Sequence, residues 1–276
     1  MKYEQITQEQ LGKGSPIQLE IVDTEEDLYY HMAMDMFDRI TANNINGKRS
    51  VFIVPVGPIG QYRKLAKMCN QKNVPLQNVW LINMDEYLDE HDRPIPKTHP
   101  LSFRGFMERE FYNQVCPDLN VPVSQRIFPE PGREAEIGKL IANLGGGEVA
   151  YGGIGINGHI AFNEPPEDDT DDRTFKRLPT RVLSLTRETR TINSVTAANG
   201  YIDYIPTRCI TVGMKEILSA RHIRFYMNRS WQKGIVRKIL HGPVTCKVPA
   251  SFFQEHRDAK LIITKEVSMP PVGRLR

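Results

Sequence analysis

Residues 149–165 read VAYGGIGINGHIAFNEP. The apolar run at the start predicts a buried strand, and the glycines that follow predict a tight exit, because glycine tolerates a positive φ. The turn carries Asn157, Gly158, His159 and Glu164. In an open parallel sheet, ligands bind outside the carboxyl ends of the strands, so these residues are predicted to lie where chemistry usually occurs. The plainer alternative is a glycine-rich turn with a surface histidine.

Composition and charge exclude several classes of protein. The chain has 276 residues, of which 40% are hydrophobic, and its 36 basic and 33 acidic residues are interspersed. Nothing resembles the basic stripe of a nucleic-acid-binding protein, an apolar membrane span or a signal peptide. The four cysteines are far apart and form no CxxC pair, which argues against a disulfide framework or a zinc site. We therefore expect a cytoplasmic enzyme that binds neither nucleic acid nor membranes.

Predicted strands alternate with predicted helices along most of the chain. The strands are expected at 17–22, 50–55, 79–83, 149–151, 181–185, 209–212, 222–227 and 260–264. Helices are expected after Thr24 and after Gly60, and at 101–114, 133–144, 187–198 and 232–240. This alternation predicts an α/β fold with a doubly wound, mostly parallel sheet in a single domain. The domain would span 17–267, between an N-terminal extension (1–16) and a loose tail (268–276), with 167–177 as an exposed loop or lid.

Candidate site residues follow three of the predicted strands. Gly57 follows the second strand, Asp85 and Glu86 follow the third, and the glycine-rich turn supplies His159. A carboxylate in a partly desolvated crevice can act as a general base, and histidine exchanges protons near neutral pH. The alternative for Asp85 and Glu86 is a solvated turn or a helix N-terminus, and for Glu164 it is an ion pair in a loop. The chain has no DxD, HExxH or CxxC pattern and no early GxGxxG fingerprint, so we predict no metal and no dinucleotide.

Four segments carry a resemblance to a known family: NMDEY at 83–87, HPLSFRGFM at 99–107, GGIGINGHIAFNEP at 152–165 and VPAS at 248–251. In this order they resemble the glucosamine-6-phosphate deaminase/isomerase family, and the similarity runs from about residue 17 to residue 265. The resemblance implies a Rossmann-like fold, a homo-oligomer and a small-molecule sugar phosphate substrate. The implied reaction is aldose–ketose isomerisation with loss of ammonia, and it needs no cofactor.

The resemblance also implies roles for individual residues. Asp85 matches the general base that moves a proton between C2 and C1. His159 matches the acid/base that opens the sugar ring, with Glu164 as its carboxylate partner. Asn157 stands where the family usually has aspartate; it can still hydrogen-bond His159, but it cannot stabilise an imidazolium by charge. The residues expected to contact substrate are Val56, Gly57, Glu86, Gly158, Arg190 and Lys233.

The chain departs from the family pattern where phosphate is normally held. The loop after the second strand reads VGPIG at 56–60 instead of a Thr/Gly-rich sequence, and Val195 replaces an arginine. Arg181 matches an arginine of the regulatory site in some members, but Leu183 replaces its usual lysine partner, so we expect no regulatory site. We hypothesise a member whose substrate differs from glucosamine 6-phosphate or whose phosphate is held by other groups. Candidate replacements, which could equally be solvated surface charges, are Arg173, Lys176, Arg177 and Arg190.

Two other functions stay open at this point. A 6-phosphogluconolactonase-like hydrolase would share the fold and a similar glycine–histidine turn. That turn usually continues Ser-Leu-Phe-Pro, whereas this chain has Phe-Asn-Glu-Pro at 162–165, which favours the deaminase. A non-catalytic sugar-phosphate sensor would explain the altered phosphate loop, but the presence of Asp85, His159 and Glu164 together argues against it.

Overall fold

A seven-stranded parallel sheet runs through the middle of the protein, which a computed structural model describes over residues 2–273. The order across this sheet is first, tenth, ninth, sixth, second, third and fifth strand, and a smaller antiparallel sheet has the order fourth, eighth, seventh. In chain order the strands are β1 (Gln18–Val22), β2 (Ser50–Val54), β3 (Val79–Asn83), β4 (Asp85–Leu88), β5 (Arg126–Ile127), β6 (Val149–Gly153), β7 (Arg181–Ser184), β8 (Arg208–Thr211), β9 (His222–Met227) and β10 (Ala259–Thr264).

Helices cover both faces of the large sheet. They are α1 (Glu25–Ile45), α2 (Gln61–Lys72), α3 (Phe103–Met107), α4 (Glu134–Asn143), α5 (Asp172–Lys176), α6 (Arg187–Ala197), α7 (Met214–Leu218), α8 (Lys233–His241) and α9 (Lys265–Ser268). A π-helical turn (Glu108–Tyr112) continues α3, so the helix predicted at 101–114 is divided in two. Among residues 2–273, no helix is both long enough and apolar enough to cross a membrane.

The alternation of side chains along the central strands builds two cores. In β2, Val51 and Ile53 join one apolar cluster, which α4 and α8 cover, while Phe52 and Val54 join the cluster beneath α1 and α2. Because both faces are covered, all five residues of β2 are buried, as expected for a parallel sheet. The predicted doubly wound parallel sheet is confirmed, with β6 at its centre.

The strands predicted at 181–185 and 209–212 do form, but they lie outside the parallel sheet. The chain leaves β3 and continues directly into β4, which pairs antiparallel with β8, and β8 pairs with β7. In this register Asp85 lies opposite Thr211. The small sheet therefore holds Asp85 just beyond the carboxyl end of the large one.

The segment 167–177 is not simply an exposed loop or lid. It contains α5, which Asp171 caps through a hydrogen bond from the Thr174 N–H (2.9 Å). The Phe175 ring is buried and stacks on Phe252 with 6.1 Å between ring centroids. Most residues of this segment are charged, so its single buried aromatic residue is not evident from the sequence.

Segments near the two ends of the described chain pack on α8. Arg237 of α8 is fully buried and donates to the backbone carbonyls of Ile6 (3.0 Å), Lys233 (2.8 Å) and Ser268 (2.8 Å). Three carbonyl acceptors in place of a carboxylate satisfy this buried guanidinium. The end of the predicted loose tail, 274–276, and Met1 lie outside the described residues.

Candidate active site

A cavity of about 370 Å³ lies at the carboxyl ends of β2, β3, β6 and β9. Its walls are mainly apolar, with aromatic side chains from several elements. The residues that line it include Val56, Gly57, Pro58, Ile59, Asp85, His159 and Arg229. The cavity thus lies at the position that the strand order predicts for a ligand site.

The turn after β6 places the His159 ring against the backbone of Gly155 in the same turn. A Cβ atom at Gly155 would lie 1.9 Å from Cε1 of His159, so only glycine leaves room for the ring. Gly158 has a φ of +88°, in the left-handed region that favours glycine. Gly155 and His159 are further tied by a backbone hydrogen bond of 3.0 Å. These glycines therefore fix the position of the imidazole.

His159 is buried, and its hydrogen bonds define one tautomer. Nδ1 lies 2.8 Å from the Asn157 amide oxygen, which also accepts from the His159 backbone N–H (3.2 Å). An amide oxygen only accepts, so Nδ1 carries the hydrogen and Nε2 keeps the lone pair. The Thr189 hydroxyl lies 3.3 Å from Nδ1 as well. Burial lowers the pKa of His159 to about 4, so the ring is neutral at physiological pH.

Asp85 faces the cavity as a buried carboxyl group. Burial, followed by the like charge of the neighbouring Glu86, raises the pKa of Asp85 to about 8. Within the described part of the chain no hydrogen bond stabilises its charged form. An unpartnered carboxyl with a pKa near neutrality has the properties of a general base.

Glu86, predicted to contact substrate, instead caps α3. Its oxygens accept from the backbone N–H groups of Tyr87 (3.0 Å), Phe103 (3.0 Å) and Arg104 (2.9 Å), and from the Ser102 hydroxyl (3.2 Å). The side chain is fully buried and does not line the cavity. Successive side chains of a strand point to opposite faces, and β4 therefore separates Asp85 from Glu86.

Glu164 does not pair with His159 as the resemblance implied. Its carboxylate accepts from the backbone N–H (2.8 Å) and hydroxyl (2.5 Å) of Thr186, the N-cap of α6. It lines a separate surface cavity. Thr189, in the first turn of α6, contacts His159. Glu164 instead contacts the N-cap residue of the same helix.

Of the other predicted contacts, Val56 and Gly57 line the cavity, whereas Gly158 belongs to the turn but does not line the cavity. The predicted cations lie elsewhere. Arg190 donates to the carbonyls of Ile202 (3.2 Å) and Ile205 (3.3 Å), and Lys233 pairs with Glu266 (2.5 Å). None of the three cations of α5 and its end lines the cavity either, namely Arg173, Lys176 and Arg177. The structure therefore does not bring any of these five cations to the cavity.

Sequence reasoning missed Arg229, which is the one lysine or arginine among the cavity-lining residues that the structure describes. It comes two residues after β9, at the same edge of the sheet as the glycine-rich turn. That position after a predicted strand was the signal that could have revealed it. Within residues 2–273, no group of three or more His, Cys, Asp or Glu residues is arranged to hold a metal ion.

Known proteins resemble the chain in sequence. No family model matches it. Glucosamine-6-phosphate deaminase of Lachnoclostridium phytofermentans is 34% identical over 227 residues, which cover 81% of this chain and 90% of that protein. Glucosamine-6-phosphate deaminase 1 of Bacillus subtilis is 30% identical over 239 residues, which cover 83% of this chain and 91% of that protein.

Solved structures agree with these relatives. A monomeric glucosamine-6-phosphate deaminase, described as a missing link of the NagB superfamily, superposes with a TM-score of 0.76 at 27% identity, covering 91% of this chain and 99% of that one. The 6-phosphogluconolactonase of Trypanosoma brucei has a TM-score of 0.64 at 14% identity over 91% of this chain and 97% of that one, a likeness of fold alone. On the strength of its sequence relatives, this chain belongs to the glucosamine-6-phosphate deaminase family.

Proposed function

We propose that the protein converts glucosamine 6-phosphate, or a related hexosamine phosphate, to a ketose phosphate and ammonia. The observation that carries this proposal is the pairing of two proton-transfer groups on one cavity. Asp85 is a carboxyl without a hydrogen-bond partner among the described residues, and His159 is a neutral imidazole held in one tautomer. Membership of the family supports the same reaction.

His159 would open the sugar ring. With the Nδ1 hydrogen donated to Asn157, Nε2 can take the proton of the anomeric hydroxyl and return it to the ring oxygen. The anomeric C–O bond to the ring oxygen breaks, and an open-chain aldehyde forms. Asn157 keeps the tautomer but brings no charge, so the imidazole starts and ends the step neutral.

Asp85 would then move a proton along the open chain. The carboxylate takes the proton from C2 while O1 gains a proton, and it then delivers its proton to C1 while the amino nitrogen loses one. The C1 aldehyde thereby becomes an alcohol and C2 becomes an imine carbon. Water adds to the imine carbon and ammonia leaves, which gives the ketose. A carboxyl whose pKa lies near 8 both accepts and releases a proton readily at neutral pH.

Ammonia release tests the proposal. Glucosamine 6-phosphate, galactosamine 6-phosphate and unphosphorylated glucosamine would be compared as substrates. Asp85→Asn should lower turnover by about 100- to 10,000-fold, the usual contribution of a general base, with little change in substrate binding. Asp89→Asn, which alters an exposed carboxylate paired with Arg93, is the matched control.

Three results would contradict the proposal in different ways. Ammonia release that survives in D85N would show that Asp85 is not the base. Ligand binding without ammonia release would identify a sensor. Hydrolysis of a sugar lactone in place of deamination would identify the hydrolase, for which the structural relatives at 14–16% identity offer only the shared fold.

Two further properties stay predictions. The first is a location in the cytoplasm, which is a reducing environment. It is supported by the four cysteines, which are free thiols, three of them buried. The predicted homo-oligomer is tested by light scattering after size-exclusion chromatography, and the structural relative with a TM-score of 0.76 is itself described as monomeric.

A further inference from the structure

The cavity has an acidic residue and a basic residue on different strands of the sheet edge. Asp85 follows β3, and Arg229 follows β9. We infer that Arg229 is the residue that binds the phosphate of the substrate, in place of the phosphate ligands that this chain lacks. The inference rests on the proposed function for the identity of the substrate, but its test does not depend on turnover.

The remaining lining offers a dianion little charge. The loop at 56–60 contributes Val56, Pro58 and Ile59, which have no side-chain hydroxyl, and Pro58 has no backbone N–H. Arg190 and Lys233 are engaged outside the cavity, as described above. A phosphate drawn into these apolar walls would therefore meet one positive charge, and that charge is Arg229.

Arg229 retains donors for a ligand. Its side chain is 42% exposed, and the nearest carboxylate oxygen, on Glu25, is 3.9 Å away from Nη1, beyond hydrogen-bond distance. Glu25 already accepts from the Asn228 amide (2.6 Å) and from the Tyr29 hydroxyl. Attraction to Glu25 thus holds the guanidinium near the cavity, and no residue within 2–273 accepts a hydrogen bond from its N–H groups. Those N–H groups are arranged to bind two phosphate oxygens at once.

The strand order sets the separation of the two strands that precede Asp85 and Arg229. In the sheet, β9, β6, β2 and β3 are successive neighbours, so β9 and β3 are separated by three strand spacings, about 14 Å. His159 follows β6, between them. An extended six-carbon phosphate with a hydrogen bond at each end spans such a distance. The phosphate would contact Arg229 while C1 and C2 reach Asp85.

Binding of an unreactive probe tests this placement. Glucitol 6-phosphate is an open-chain sugar phosphate without a carbonyl, and glucitol is the same molecule without its charge. Calorimetry on the full chain should show that wild type prefers the phosphate. Arg229→Met should weaken glucitol 6-phosphate binding about 10- to 100-fold, the effect of losing a hydrogen bond to a charged group, and Arg229→Lys should weaken it less.

Arg221→Met is the matched control, because Arg221 immediately precedes β9 at the opposite end of the strand and its side chain donates to the Gly145 carbonyl (3.0 Å). It should bind both probes as wild type does. The inference is overturned if R229M keeps the wild-type preference for the phosphate, if wild type shows no preference, or if K233M abolishes it instead. A preference that depends on Arg229, in a protein that releases no ammonia, would support the inference and reject the proposed function.

Discussion

Replacing Asp85 with asparagine should make the protein progressively more stable than wild type as the pH rises from 5 to 8. In the unfolded chain this carboxyl ionises near its ordinary pKa of 3.8, whereas burial beside Glu86 raises the folded-state pKa to about 8. Between those values the unfolded state releases a proton that the folded state keeps. Wild-type stability is therefore lost as the pH rises through this window, and asparagine, which does not ionise, avoids the loss.

The size of the effect follows from the pKa difference. Each pH unit in the window corresponds to about 1.4 kcal/mol, so the stability of D85N relative to wild type should grow by up to about 4 kcal/mol between pH 5 and pH 8. The free energy of unfolding would be measured by urea denaturation at several pH values, with the slope of each transition compared to confirm two-state behaviour.

Asp89→Asn provides the control for this experiment. Hydrogen bonds from Arg93 hold the pKa of Asp89 below its ordinary value, so its contribution to stability is lost only in more acidic solution. The difference between D89N and wild type should stay constant from pH 5 to pH 8. Parallel stability curves for D85N and wild type over the same range would refute the assignment of a raised pKa to Asp85.

Two further predictions concern the glycine-rich turn. Gly155→Ala should lower ammonia release by roughly 100-fold, because its Cβ displaces the His159 ring and misplacing a catalytic group by about 1 Å has this effect. Gly234→Ala is the control and should keep its activity, because a Cβ at this position of α8 meets nothing within 4 Å. Equal activity of the two variants would contradict the packing argument. Asn157→Asp should raise the pKa of His159 above about 4, since it places a carboxylate beside Nδ1. An NMR titration that leaves this pKa unchanged would show that Asn157 does not control the imidazole.

Much of the fold could be predicted because it depends on local patterns. The apolar run of β2 and the helical spacing of Leu28 and Met32 are readable from neighbours in the sequence. The strands predicted at 181–185 and 209–212 were also found, but not their sheet. Pairing between β4 and β8 joins segments more than 100 residues apart, which no local pattern encodes.

Asp85 and His159 could be placed in the site for a related reason. Each lies within a few residues of the carboxyl end of a parallel strand. Because parallel strands end at one edge of the sheet, their positions in the chain bring the two residues together. Glu86 shows where this reasoning fails. It is adjacent to Asp85 in the sequence, but the alternation of β4 turns it into the first turn of α3, where four donors surround it.

The sequence by itself therefore determined the parallel sheet, its central strand and the placement of Asp85 and His159 at the strand ends, because periodicity and strand direction are local properties. Only the tertiary structure decided which charged groups face the cavity. Arg190, Lys233 and Glu164 find partners in other segments, whereas no residue that the structure describes accepts a hydrogen bond from the Arg229 side chain. A charged side chain takes the position that satisfies its hydrogen bonds at the least cost in desolvation, and its available partners exist only once the chain has folded.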